Sequence, residues 1–423
     1  MKNHPGNIYL ERYAYPTEFL KNAPLPDNPR IITVIPCLAE PDLIAALNSL
    51  YNCYEPGCNA EVIVVINHAV NSSPEIIQQN DKTWEEARHW SGNHNNPWLK
   101  FHFIKAYDLP EKSAGVGLAR KIGMDEAVRR LRHTKNGKGV ISCFDADCEC
   151  DPTYFQAIMD HFNTHPESTG GVLYFEHSLE GKLDPQLYTG ITLYELHLRY
   201  LTNALRHTGF PYAFHTLGST ITVRSEIYEK QGGMNTRKAG EDFYFIQKIA
   251  SLGHFHAINN GRVIPSPRIS GRVPFGTGRA LKEWMENPDS GFSTYNWLTF
   301  KDLKCFIEII TRSYEAENSD DYFKKVHVPE SVLSYLGEEN WQEKVRQCIF
   351  SSTGRRVFLT KLFTWFDGLK IIRILNFTGK HFYRDTPVEE AAGLLLKEFF
   401  NEDPGEMDAP ALLLKYREID KTC

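Results

Sequence analysis

Gly139-Val140-Ile141-Ser142-Cys143-Phe144-Asp145-Ala146-Asp147 carries the clearest signal of architecture in the chain. Its first six residues are apolar or small without alternation, the texture of a strand covered on both faces, and two carboxylates close it. In extended chain, residues i and i+2 point to one side. Asp145 and Asp147 are therefore expected to share a face at the carboxyl end of a strand, where open α/β sheets bind their ligands. A hard divalent cation takes one or two carboxylates and fills its shell with phosphate oxygens, so the pair suits a metal–diphosphate complex. The bland reading makes one Asp a helix cap and the other a solvated charge. Against it, Asp151-Pro152 already fits the cap and first-turn positions of the next helix.

Upstream, Arg30-Ile31-Ile32-Thr33-Val34-Ile35-Pro36 and Glu61-Val62-Ile63-Val64-Val65-Ile66-Asn67 read as two more buried strands. A helix between them carries Leu43, Ile44, Leu47 and Leu50 on one face. Residues 99–106 give a further strand, and Met124, Ala127, Val128 and Leu131 recur at helical spacing. Downstream, 170–176 and 219–223 look like strands flanking an aromatic helix over 188–206. Strands alternating with helices predict an α/β fold, a mostly parallel sheet with helices on both faces. Beyond about Trp284 strand-like runs are few and amphipathic stretches such as Leu303, Phe306, Ile307 and Ile310 dominate, which predicts an α-helical C-terminal region. The expected division is an N-terminal extension over 1–29, a sheet domain over 30–285 and a helical region over 286–423.

The composition limits the function. The 423 residues are 42% hydrophobic and 24% charged, ordinary for a globular chain and too apolar for a disordered one. A formal charge of −6 has the wrong sign for binding nucleic acid through the overall field. Nine Cys with no CxxC pair read as a reduced, intracellular chain, and residues 1–9 carry no secretory leader, so a cytoplasmic location is expected. The richest apolar region, 357–377, is interrupted by Lys361, Asp367, Lys370 and Arg373, which suits a packed helix or shallow peripheral attachment to an anionic inner membrane surface rather than a span.

Other candidates follow. Glu241-Asp242 open a helical run; the macrodipole alone favours acids there, but a second wall of the same cleft would let one serve as a general base. Gly115-Val116-Gly117 lacks the third Gly of a dinucleotide fingerprint, and neither a P-loop nor a G-x-S-x-G elbow occurs. Arg268, Arg272 and Arg279 lie in a Gly/Pro-rich segment that either folds over a phosphate or stays a solvated loop. His215, His254 and His256 are weak metal-ligand candidates.

In this order the motifs resemble those of family-2-type glycosyltransferases of the GT-A fold, over roughly Arg30 to Leu281. The carrying residues are Val34-Ile35-Pro36-Cys37-Leu38-Ala39-Glu40, similar to "IPxxNE", and Gly117-Leu118-Ala119-Arg120-Lys121-Ile122-Gly123, similar to "ARNxG". With them come the Asp145-Ala146-Asp147 "DxD", Gly232-Gly233-Met234 and the Glu241-Asp242 "ED". The resemblance implies a nucleotide-sugar donor, UDP rather than GDP, bound by Pro36, Glu40, Asn67, Arg120, Asp145, Arg268 and Arg272. It implies Mn2+ or Mg2+ on Asp145 and Asp147, a carbohydrate or other hydroxyl acceptor near Gly218, Ser219 and Glu241, and Asp242 as the base of an inverting transfer. The chain departs from the pattern at Asn67, where an Asp often stands, and at Lys121, which replaces the usual Asn. It also lacks the "QxxRW" of processive synthases, which argues for single addition. A silent sugar-binding scaffold on the same fold is the competing expectation, and a sugar-1-phosphate nucleotidyltransferase ranks lower because no Gly-rich loop follows the first strand.

Overall fold

The computed structural model describes residues 5–132, 138–269, 276–288, 291–337 and 340–422. The first half contains α1 (Pro5–Arg12), β1 (Pro29–Cys37), α2 (Leu43–Tyr51), β2 (Asn59–Ala69), α3 (Pro74–Asn93), β3 (Leu99–Leu109), α4 (Val116–Leu131), β4 (Val140–Cys143) and β5 (Glu149–Cys150). It continues through α5 (Tyr154–Thr164), β6 (Gly170–Phe175), α6 (Pro185–His207), β7 (Ile221–Arg224), α7 (Ser225–Lys230), α8 (Glu241–Ala250), β8 (Phe255–Ile264) and α9 (Thr277–Glu286). The remainder holds β9 (Ser293–Thr294), α10 (Trp297–Arg312), α11 (Ser319–Lys325), α12 (Glu330–Leu336), α13 (Trp341–Phe350), α14 (Arg355–Trp365), α15 (Gly368–His381), β10 (Thr386–Pro387), α16 (Val388–Leu395) and α17 (Ala409–Thr422). No helix among the described residues is long and apolar enough to cross a membrane.

Two compact units result. One comprises Met1–Leu183, Thr216–Arg279 and Lys421–Cys423; the other comprises Asp184–His215 and Ala280–Asp420. A single cut near residue 285 does not anticipate that α6 belongs with the C-terminal helices. Within that second unit α6 and α17 share buried charges: Arg199 donates to Glu195 at 2.9 Å and to Asp420 at 2.6 Å, and Arg417 pairs with Glu195 at 2.8 Å. An amphipathic helix with an ionic stripe needs a partner carrying the opposite charges, and the chain's last helix supplies it.

The first unit is built on a sheet of order β3-β2-β1-β4-β7-β6-β8-β5. β1 runs parallel to both β2 and β4, β2 to β3, and β6 to β8, while β4–β7, β6–β7 and β5–β8 are antiparallel. The central strands β1, β2 and β4 are almost wholly buried and mostly apolar because both faces are covered, whereas the edge strand β3 mixes polar and apolar residues. Ile31, Ile35, Val62, Val64 and Ile66 pack with Leu43 and Leu47 of α2, Trp90 of α3 and Phe155 and Ile158 of α5. The opposite face carries α4, which lies flush on β1: a Cβ on Gly123 would come within 2.3 Å of Val34 Cγ1. Successive β connections leave β1 to one side and β4 joins it on the other, so the carboxyl ends of β1 and β4 lie side by side where the strand order reverses, the position at which open α/β sheets bind ligands.

Two local expectations need correction. The helix expected at Asp151-Pro152 starts at Tyr154 with Thr153 as its cap residue, and Asp151 instead meets the Arg262 guanidinium at 2.8 and 3.2 Å. A two-point charged pair outweighs one bond to a helix N–H. β4 ends at Cys143, and Asp145–Cys148 form a turn closed by Cys148 N to Asp145 O at 3.1 Å, so strand alternation does not orient the two aspartates. Within the N-terminal extension, residues 9–24 are tied down. The Tyr9 hydroxyl and Tyr15 N–H donate to Asp125 at 2.5 and 2.7 Å, Leu20 N–H donates to Glu126, and Arg130 reaches Pro24 O at 2.7 Å, which straps this arm along α4.

On α5 and β8, His161, His165 and His256 form a cluster with ring centroids 4.8 to 5.1 Å apart. Burial, then His256 and His165, push His161 down to about 4, and burial and His165 also lower His256. The folded state therefore takes up fewer protons than the unfolded chain between about pH 6.5 and 4, so stability is lost as pH falls through that window. His161→Asn is expected to lose this sensitivity in part: the Tm advantage of the parent, measured by calorimetry, should shrink from pH 7.5 to pH 5. A constant difference would place the acid sensitivity elsewhere.

Candidate active site

Arg120 sits in the second turn of α4 and is 2% exposed. Its placement depends on close backbone approaches. Gly117 lets the 235–237 loop touch the helix start, because a Cβ there would meet Arg237 O at 2.3 Å. Gly218 lets the guanidinium pass, because a Cβ there would lie 2.4 Å from Nη2. The guanidinium then donates to Gly218 O at 2.9 Å and to Asp145 Oδ1 at 3.0 Å, and its Nε lies 3.4 Å from Glu241 Oε1. The end of β4, the turn before β7 and the start of α8 thus meet on one cation.

Gly240, with φ of 71°, turns the chain left-handed into α8 and brings Glu241 and Asp242 to that point. Glu241 is buried and Asp242 partly so, its Oδ1 accepting Phe243 N–H at 2.7 Å. Burial, the adjacent Glu241 and the more distant Asp145 push Asp242 up to about 7 against the pull of Arg120. Burial likewise raises Glu241. For Arg120 burial opposes the charge, but Asp145, Glu241 and Asp242 outweigh it and hold the guanidinium above its ordinary value. A carboxyl held well above its ordinary range near a fixed cation is suited to exchanging a proton near neutral pH.

Asp147 goes to a different arginine. Arg268, in the loop after β8, reaches Asp147 Oδ2 from Nη2 at 3.2 Å, Asp42 Oδ2 from Nη1 at 3.2 Å, and Glu40 Oε2. Glu40 is 1% exposed and its Oε1 also accepts Asp42 N–H at 3.0 Å. The loop holding it is strained, with Ala39 at φ 45°, and is tied down by α3: Ala39 N–H donates to Asn80 Oδ1, Asn80 Nδ2 to Asn67 O, and Thr83 Oγ1 to Glu40 O.

The residues singled out in the sequence fall as follows. Asp145, Gly218, Glu241 and Arg120 are in direct contact with one another or one step removed, Asp242 is adjacent, and Glu40, Asp147 and Arg268 form the neighbouring group. Pro36 and Asn67 are near the carboxyl ends of β1 and β2. Ser219 is buried and bonded to the Cys148 thiol. Arg272 lies outside the described residues. Lys121 turns away from the site to Asp125 at 3.1 Å and the Tyr9 hydroxyl at 3.2 Å, so its departure from Asn serves the N-terminal strap. His215 is bonded to Asp420 at 2.9 Å in the second unit and is not at the site. Asp42, Asn80 and Thr83 are site-building residues that the sequence reading missed. Asn80 and Thr83 occupy the buried face of α3, where polar residues break the apolar periodicity that reveals a helix.

Residues 32–230 match the model of the family described as glycosyl transferase family 2. No curated protein matches the chain. Among solved structures, the chain is similar to S. aureus TarS 1–349 in complex with UDP-GlcNAc, at 15% identity and a TM-score of 0.39, covering 79% of this chain and 91% of that one. It is also similar to the mannosyltransferase PcManGT from Pyrobaculum calidifontis in complex with GDP-Man and Mn2+, at 15% identity and a TM-score of 0.36, covering 98% and 88%. The matched span runs from β1 to the end of α7 and holds the Asp145 turn, Arg120 and Gly218; residues 32–230 are a glycosyl transferase family 2 domain, on an α/β sheet of the GT-A type.

Proposed function

We propose that the protein transfers one sugar at a time from a nucleoside diphosphate, UDP in preference to GDP, to an acceptor hydroxyl with inversion at the anomeric carbon. The observation that carries this reading is the meeting of Asp145 and Glu241 on Arg120, across about a hundred residues of sequence, with Asp242 next to Glu241. In this reading Pro36, Glu40 and Asn67 border the nucleoside, and Arg268 faces the diphosphate. Gly218 and Ser219 back the acceptor side, with Glu241 holding Arg120 beside it. Asp242 takes the proton from the attacking hydroxyl, which approaches from the face opposite the leaving diphosphate. Guanidinium forks match phosphate oxygens two at a time, so Arg268 would exchange its carboxylates for the charge that develops on the leaving group.

Asp145 and Asp147 have side chains 35% and 25% exposed and offer only oxygen donors, which fits Mg2+ or Mn2+ completed by diphosphate oxygens. When bound, such an ion neutralises the leaving diphosphate. A thermal-shift panel of UDP- and GDP-sugars with and without Mn2+ tests the reading, since a ligand that prefers the native state must raise Tm. A rise for one nucleotide, lost in Asp147→Ala, is expected; no rise for any would favour the silent scaffold. NMR of the first-formed product should show the donor's anomeric configuration inverted.

Arg268 supplies a separate prediction. Its guanidinium already balances the Asp147 charge, so Mn2+ has to compete with it. Arg268→Gln should bind Mn2+ severalfold more tightly in the absence of nucleotide, as read by electron paramagnetic resonance. Unchanged affinity would detach Asp147 from the metal role.

A further inference from the structure

Phe350 closes α13 and is 94% exposed, the most exposed large apolar side chain among the described residues. A phenyl ring left in water forfeits the free energy that draws such side chains inside, and at a helix end nothing local requires it. Its surroundings are basic. Residues 344–361 carry five basic and no acidic side chains, in a chain whose formal charge is −6. Two of the five are neutralised: Arg346 by Asp320 at 2.6 Å, and Arg355 by Glu315. For Lys344, Arg356 and Lys361 no carboxylate lies within ion-pair distance among the described residues. Lys361 Nζ donates to Ser351 O, which sets its ammonium beside Phe350, while Lys344 lies in the first turn of the same helix. The exposed Val357 begins the next helix beside Arg356.

We propose that the turn between α13 and α14 is a docking tip for an anionic lipid bilayer, with Phe350 entering the headgroup region and Lys344, Arg356 and Lys361 contacting the lipid phosphates. A protein partner would be met by a groove or a flat apolar patch with a polar rim. A ring exposed to this degree is a protrusion, and a protrusion fits a fluid, deformable partner. The intervening Ser351, Ser352 and Thr353 are hydroxyl residues that suit the same polar layer. Because the rest of the chain is net acidic, an anionic surface repels it and selects this turn as the leading contact. The proposal does not depend on the transfer chemistry.

Co-sedimentation of the full chain with large vesicles tests it. Binding is expected to vesicles of phosphatidylcholine and phosphatidylglycerol at roughly 7:3, strongly reduced between about 0.05 and 0.5 M NaCl, with none to phosphatidylcholine alone. Phe350→Ser should weaken binding by about tenfold or more, and K344E/R356E/K361E should abolish it, both with an unchanged Tm because every substituted side chain is exposed or half-buried. Failure of the parent to sediment with the mixed vesicles overturns the proposal. So does parent-like binding by Phe350→Ser. Concentration-dependent self-association lost in Phe350→Ser, without vesicle binding, would reassign the turn to a contact between copies of the chain.

Discussion

Asp242→Asn is expected to lower kcat by about 10²- to 10⁴-fold while leaving the fold intact, the loss typical of removing a positioned general base. The amide keeps the shape and still accepts the Phe243 N–H bond, but it takes no proton. Two further measurements separate this from a structural defect. Asp242 is held up to about 7, so kcat/KM of the parent should fall about tenfold per pH unit below neutrality, as the base becomes protonated. The same shift has the opposite effect on stability. A carboxyl whose folded value lies above its unfolded one opposes folding once the pH exceeds the folded value, and that opposition is relieved as pH falls toward 4. Asp242→Asn removes the strained charge, so its Tm at pH 8 should equal or exceed that of the parent. A variant with normal kcat would remove Asp242 from the chemistry; one with low kcat and a collapsed Tm would make it a packing residue.

The parts of this molecule that were legible in the sequence are those where one face or one motif decides the structure. β1, β2 and β4 are buried along almost their whole length and mostly apolar because helices cover both sides of the sheet. β8 was missed because Asn259-Asn260-Gly261 resembles a turn; in the sheet these residues are looped out of register between the pairs Leu173–Ile258 and Tyr174–Arg262. α3 was missed because Asn80 and Thr83 replace apolar residues on its inner face in order to hold the Ala39-Glu40 loop. Spacing drew attention to Asp145, Asp147, Glu241 and Asp242, yet it could not show that the two aspartates of the pair answer to different arginines. Arg268 and Glu40 are 228 residues apart, and no local pattern signals that distance. The N-terminal strap was hidden for a related reason: backbone N–H groups of residues 15 and 20 find their acceptors on α4, and backbone donors leave no mark in a sequence.

Arg120→Met should be the most damaging single change in the sheet unit, lowering the free energy of unfolding by about 3–5 kcal/mol in urea titrations, the cost of leaving buried charge without its partner. The methionine fills much of the space, so the loss comes from Asp145, Glu241 and Gly218 O, which would share one crevice with no donor between them. Arg120→Lys should recover little of it. A lysine is a point donor and does not reach Asp145, the Gly218 carbonyl and Glu241 together, whereas the guanidinium fork presents separate N–H groups to each. Adding Glu241→Gln to Arg120→Met should restore part of the stability, since it removes one of the stranded carboxylates. Activity should not return with it. Arg120 is the cation that pulls Asp242 downward, so in its absence the base is protonated over a wider range and the acid limb of kcat/KM should move to higher pH. In the double variant the limb should return to the parent's pH or below it, because Glu241→Gln also removes the larger upward push on Asp242; a limb displaced in Arg120→Met and restored with part of the stability in the double variant would separate the two duties of Arg120, holding three segments together and setting the proton affinity of the base. Equal stability of Arg120→Met and the parent would mean that the carboxylates are not confined around a single cation.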